Sequence, residues 1–216
     1  TATDIQNVIN CDYYNELKLN NLIKSKHPDL SLLHLNIRSL NKNWNKLICF
    51  LNSLEVKFKA LALTEIGKNN IDNNLAFFEK YNYIYQPSVT THGGACLLVD
   101  KEYNLKKRND IQINCNNDIK VEEIWGEISN TNPNKPPTLI GVVYRHPNDP
   151  IHKFNERIEV LLESLSQEKK DIIICGDFNI NLLAQGHEGT KNTRNIFLSN
   201  NFLPLITLPT RITDNT

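Results

Sequence analysis

From residue 31 onward the chain alternates short apolar runs with segments of helical spacing. Leu32-Leu33-His34-Leu35-Asn36-Ile37 alternates as a half-buried strand should. Trp44, Leu47, Ile48, Leu51 and Leu54 then share one face of a predicted helix, with Ser39 or Asn41 available as its cap. Ala60 to Glu65 reads as the next strand, followed by a short helix around residues 72–80 and a strand at 82–87. Gly93-Gly94 opens a strand through Val99, and the polar stretch 101–120 reads as an exposed loop or edge. Strand patterns return at 121–128 and 138–145. A helix follows Asp149-Pro150, capped by Asn148 or Asp149, with Phe154, Ile158, Leu161, Leu162 and Leu165 as its apolar stripe. Asp171 to Cys175 has the continuous apolar character of a central strand buried on both faces. A last helix is predicted near 191–201. Residues 1–30 are weakly patterned and form a separate lead-in segment, a helix with a loose linker to His27-Pro28-Asp29. The rest, 31–216, is one α/β domain without internal repeats.

Composition changes this picture in three ways. Charge is balanced, with 24 Lys and Arg against 24 Asp and Glu. Duplex binding draws on phosphate neutralisation, so any nucleic-acid contact must come from a local patch. The five cysteines show no Cys-x-x-Cys spacing, which argues for a reducing compartment and against structural zinc. Cys49, Cys96 and Cys175 fall in apolar segments and are expected to be buried. The 32 asparagines make a lone Asn weak evidence for a site. No apolar run reaches the roughly 20 residues of a membrane span. The chain starts at Thr1 and has no methionine, which points to an excised piece of a longer protein.

Candidate chemistry lies where polar groups end apolar strands, because the sheet aims a terminal side chain. Glu65 ends one such strand; alternation would face it the way of Leu61 and Leu63, where a carboxylate needs a site, a cation or solvent. Asp177 and Asn179 follow Ile172-Ile173-Ile174-Cys175-Gly176. Two residues apart, they can bind a hydrated metal or phosphate, or simply form an Asx turn. Tyr144-Arg145-His146 ends another run, as a phosphate clamp or as an amphipathic strand end. Asn36 and Arg38 close the first strand.

Taken in order, His34-Leu35-Asn36-Ile37-Arg38-Ser39-Leu40, Ala62-Leu63-Thr64-Glu65, Gly93 to Val99, Glu123 to Ile128, Val142 to Pro147, Ile174 to Asn179 and Pro204 to Arg211 resemble the endonuclease/exonuclease/phosphatase superfamily. The nearest resemblance is to the endonuclease domain of non-LTR (LINE-like) retrotransposons, over about residues 31–216. It implies a four-layer α/β/β/α sandwich of two packed mixed sheets. It also implies hydrolysis of DNA phosphodiesters with Mg²⁺ or Mn²⁺, with a reverse transcriptase domain as polyprotein partner and action in the nucleus. On this resemblance Glu65 would be the main metal ligand with Asn36 beside it. Asp177 would orient or deprotonate water, and Asn179 and Tyr144 would hold phosphate oxygens. Arg38, Arg145, Thr210 and Arg211 would touch the DNA backbone.

The family pattern continues into an Ile-Asp-His-like segment and a Ser-Asp-His segment that this chain does not reach. The expectation is that the last strands and the Asp-His pair are missing and that this piece is nearly inactive alone. Losing a general acid–base group costs about 10²–10⁴-fold. The competing readings are an inositol-phosphate or lipid phosphodiesterase of the same superfamily, and a non-catalytic remnant.

Overall fold

The computed structural model describes residues 11–26, 28–68, 79–90, 92–115, 118–130, 135–184 and 186–210. A helix, α1 (Glu16–Lys26), precedes β1 (Leu32–Asn36), α2 (Leu40–Ser53) and β2 (Ala60–Thr64). Then come β3 (Tyr81–Gln86), β4 (Ala95–Asp100), β5 (Tyr103–Lys107), β6 (Val121–Asn130) and β7 (Thr138–Arg145). The series ends with α3 (Ile151–Leu165), β8 (Asp171–Asp177) and α4 (Glu188–Ser199). Residues 72–78 of the helix expected around 72–80 lie outside the described residues, as does Arg211, and residues 79–80 form a turn.

The strands form two four-stranded mixed sheets, ordered β1-β2-β4-β3 and β5-β6-β7-β8. In each, one parallel pair (β1 with β2, β7 with β8) adjoins antiparallel neighbours. The side-chain period of two explains the layering. Ala60, Ala62, Leu97 and Val99 of the first sheet meet Ile124, Ile128, Ile140 and Val142 of the second. The opposite face of sheet one, through Leu61, Leu63 and Leu98, packs on Trp44 and Leu47 of α2. The opposite face of sheet two, through Trp125, Leu139 and Val143, packs on the Phe154-Ile158-Leu161-Leu162-Leu165 stripe of α3 and on Ile196 of α4. This is the α/β/β/α sandwich. No helix among the described residues is long and apolar enough to cross a membrane.

Several local expectations change. Neither Ser39 nor Asp149 caps a helix with its side chain; Asp149 Oδ2 instead accepts from the Lys120 amide. The polar stretch 101–120 hides an edge strand, β5, and its Ile111, Ile113 and Ile119 are buried in the α3-side core. Strand β8 ends the described sheet and is only half-buried, because a single strand, β7, flanks it there. Of the three cysteines expected inside, Cys96 is buried, Cys175 is partly so, and Cys49 is exposed on α2.

Candidate active site

The sandwich brings β1, β2, β7 and β8 to one rim by their C-terminal ends, and β4 and β6 by their N-terminal ends. Asn36, Tyr144 and Asp177 all lie on the inter-sheet side of their strands. Asn36 Nδ2 donates to Glu65 Oε1 at 2.8 Å and to Asp177 Oδ2 at 2.7 Å, so one amide joins carboxylates from both sheets.

Glu65 reaches this point against strand alternation. Continuing β2 would turn it with Leu61 and Leu63 into the helix layer. Instead β2 stops at Thr64, and Glu65 takes a left-handed backbone, φ 55°, that returns its side chain to the rim. Ser39 N donates to Glu65 O at 2.7 Å and Leu40 N to Ile66 O at 3.1 Å, prolonging the β1–β2 pairing through this turn. Asn43 of α2 donates to the carbonyls of Ile37 and Arg38, steadying the facing turn.

Asp177 serves both readings of its sequence. Its Oδ1 accepts from Asn179 N at 3.0 Å, an Asx turn, while Oδ2 faces Asn36. Gly176 precedes it at φ 150°, where a Cβ would collide with the Val143 carbonyl; only glycine lets β8 lie this close to β7. Tyr144 is 2% exposed. Burial, and then the charges of Glu65, Asp177 and Glu122, push its pKa up to about 12, against a hydrogen bond from Asn179. Its hydroxyl therefore stays protonated and able to donate. His34, two residues before Asn36, contacts Thr64 Oγ1 at 3.3 Å. Burial lowers its pKa, partly opposed by the Asp177 charge.

Arg145 is a correction to the sequence reading, which put it on DNA. It is 1% exposed and points away from the rim, into the α3 layer. Its guanidinium donates to Phe178 O at 2.6 Å, Asp149 O at 2.5 Å and Asn179 O at 2.8 Å. Asn179 Nδ2 returns a bond to Arg145 O at 2.6 Å. The arginine therefore holds the turn that carries Asn179. Arg38 is exposed at the rim. Thr210 is exposed beside Pro209, whose carbonyl accepts from Tyr13, and no hydrogen bond among the described residues joins it to the Asn36 cluster.

The sequence reading passed over Glu122 on β6. It is 2% exposed and faces Tyr144 across the β6–β7 ladder. The available signal was alternation: Glu122 shares the face of Ile124 and Ile128, where an unsatisfied carboxylate is costly.

No protein-family model and no curated protein matches the sequence. Solved structures match the architecture. The human Nocturnin catalytic domain, with bound sulfate, aligns at TM-score 0.55 and 14% identity over 80% of this chain and 69% of its own. The endonuclease domain of TRAS1, a telomere-specific non-LTR retrotransposon, aligns at 0.56 and 11% over 80% and 73%. An AP endonuclease from Archaeoglobus fulgidus aligns at 0.56 and 15% over 79% and 70%. The chain has the endonuclease/exonuclease/phosphatase fold. At identities this low the structural likeness establishes the fold alone, and the expected sandwich is thereby met; chemistry must be argued from the rim.

Proposed function

We propose that the chain is a metal-dependent nuclease domain that hydrolyses DNA phosphodiesters, as in target-site nicking by a non-LTR retrotransposon. The observation that carries this is the Glu65–Asn36–Asp177 cluster, two carboxylates from different sheets meeting on one amide at an open rim. The amide hydrogens stand where positive charge is favoured. Glu65 and Asp177 supply carboxylate oxygens that suit a hard divalent cation keeping several waters, and the Asn36 oxygen, which here accepts from Arg38 N at 3.2 Å, would join them once its amide turns over. Glu65 and Asn36 would hold Mg²⁺ or Mn²⁺, and the cation when bound would offset charge developing on the phosphate.

The remaining roles belong to the side chains. Asp177, held by Asn36 and by the Asn179 amide, presents a fixed acceptor to an attacking water. Tyr144 offers a protonated hydroxyl to a phosphate oxygen, and Asn179, whose amide bonds Arg145 O and Tyr144, holds that hydroxyl in place from the adjacent turn. Arg38, exposed at the rim, is a cation available for the DNA backbone, and a reverse transcriptase domain is the expected partner. No histidine side chain among the described residues is hydrogen-bonded to an aspartate side chain, so turnover by these residues is expected to be slow, by about 10²–10⁴-fold.

Plasmid nicking in Mg²⁺, Mn²⁺ or EDTA, with phosphoinositides as the alternative substrate, tests the reading. Cation-dependent thermal stabilisation should accompany slow nicking, and Glu65→Gln should abolish both. Nicking that survives EDTA or Glu65→Gln refutes the mechanism. Phosphoinositide turnover without nicking transfers the site to that substrate. Absence of any cation-dependent stabilisation leaves a non-catalytic remnant.

A further inference from the structure

Among the described residues, Glu122 and Arg145 are the charged side chains buried in the protein. Arg145 holds the Asn179 turn; Glu122 is rooted in the second sheet but spends its carboxylate on the first. Its Oε1 accepts from Val89 N at 2.8 Å and lies 3.0 Å from Ser88 Oγ, and its Oε2 accepts from Gly94 N. These donors belong to the loop between β3 and β4, at residues 88–90 and 92–94. A Cβ on Gly93, at φ 130°, would collide with the same carboxylate.

The loop is in turn clasped to the residues after Glu65. Ser88 N donates to Gly67 O at 3.0 Å, and Gly67 N donates to Gly93 O at 3.0 Å. Ile66, 4% exposed, packs so closely on Gly94 that a Cβ there would overlap its side chain. Glu65 itself sits in a left-handed conformation, which persists only when its surroundings fix it. On the other side, Glu122 stands opposite Tyr144, and the His146 ring lies beside both. It meets Tyr144 edge-on at 5.0 Å between centroids, with Nε2 3.7 Å from Glu122 Oε1.

We propose that Glu122 is a positioning residue for Glu65, acting through the β3–β4 loop and Gly67. Its role in cation binding rests on the site proposed above. A carboxylate accepting backbone amides is a strong local anchor. It ties the loop that sets one carboxylate to the strand pair that carries Tyr144, so both halves of the site keep one geometry.

Amide hydrogen exchange on the whole chain tests this, alongside Mn²⁺ binding. Glu122→Gln removes the charge and one acceptor, and Ser88→Ala removes one donor if the first variant does not fold. Glu123→Gln is the control, striking a carboxylate on the other face of the same strand. Residues 65–67 and 93–94 should exchange about tenfold faster in both test variants, as expected for one lost charge-assisted hydrogen bond. Helix α3 should be unchanged, and Mn²⁺ affinity should fall about tenfold. Unchanged exchange at 65–67, or an equal increase in Glu123→Gln, overturns the proposal. The exchange pattern decides Glu122, whereas Mn²⁺ binding by the unsubstituted chain decides the cation site, so either can fail alone.

Discussion

Replacing Arg145 by alanine separates two accounts of one residue. If it holds the turn, Arg145→Ala leaves the carbonyls of Phe178, Asn179 and Asp149 facing inward without their donor. Each unsatisfied group costs about 1–3 kcal/mol, so three sum to roughly 3–9 kcal/mol before compensation. Compensation is real: the folded state no longer desolvates a guanidinium, whose burial already lowers the Arg145 pKa. The expected net loss is therefore about 3–5 kcal/mol, as for breaking a buried ionic group's partnership. Arg145→Lys keeps the charge but loses the planar fork and should fall between, at about 1–3 kcal/mol. Urea unfolding followed by circular dichroism measures this through the midpoint at constant slope. DNA binding measured against salt concentration supplies the counter-test. A phosphate contact would make Arg145→Ala reduce the salt slope by about 1 with little change in stability. That pair of results, with a stability loss under about 1 kcal/mol, would refute the structural role.

Gly176→Ala should destabilise by about 4 kcal/mol or more in the same unfolding assay, because its Cβ would collide with the Val143 carbonyl. Tyrosinate absorbance should show a component near pH 12 that Tyr144→Phe removes. The neutral hydroxyl's contribution to stability is complete below pH 10 and is lost as pH rises through about 12. At the acid end, Arg108 and then Lys170 hold Glu168 at about 2 from an ordinary 4.5. Its contribution is present above pH 4.5 and disappears as pH falls through about 2, so Glu168→Gln should flatten that arm of an acid-unfolding curve. A thiol reagent at neutral pH should label Cys49 in the folded protein and spare Cys96, and Cys175 whose pKa burial raises to about 12.

Much of the architecture was legible because burial imposes periods. The α3 stripe at Phe154, Ile158, Leu161, Leu162 and Leu165 is fully buried, as its spacing requires. Ala60, Ala62 and Thr64 face the second sheet for the same reason that Leu61 and Leu63 face α2. The rim residues Asn36, Glu65, Tyr144, Asp177 and Asn179 were visible as polar ends of apolar runs, and the fold gathers them. What failed was reading direction past a strand's end. Glu65 obeys its backbone turn rather than the alternation of β2, and Arg145 obeys alternation so well that it leaves the rim for the α3 layer. Glu122 stayed hidden because its donors lie some thirty residues away, in a loop with no period of its own.

Backbone strain explains why the buried charges sit where they do. Among the described residues, five non-glycine positions have positive φ: Arg38, Ser39, Glu65, Asn179 and Asn201. Asn201 follows the end of α4, where left-handed residues are customary. The other four are in the turns after β1, β2 and β8, at the rim. A left-handed residue costs about 1–2 kcal/mol, so these turns need partners that leave them no alternative. Each has one: Asn43 for the Arg38–Ser39 turn, the Glu122-held loop for Glu65, and Arg145 for Asn179. Hydrophobic packing cannot do this work, because it is non-directional and does not tell a carbonyl which way to turn. Buried hydrogen-bonding charges can. On this argument Glu122 and Arg145 belong to the site's scaffold, and substituting either should move the carboxylates and amides of the rim before it unfolds the sandwich.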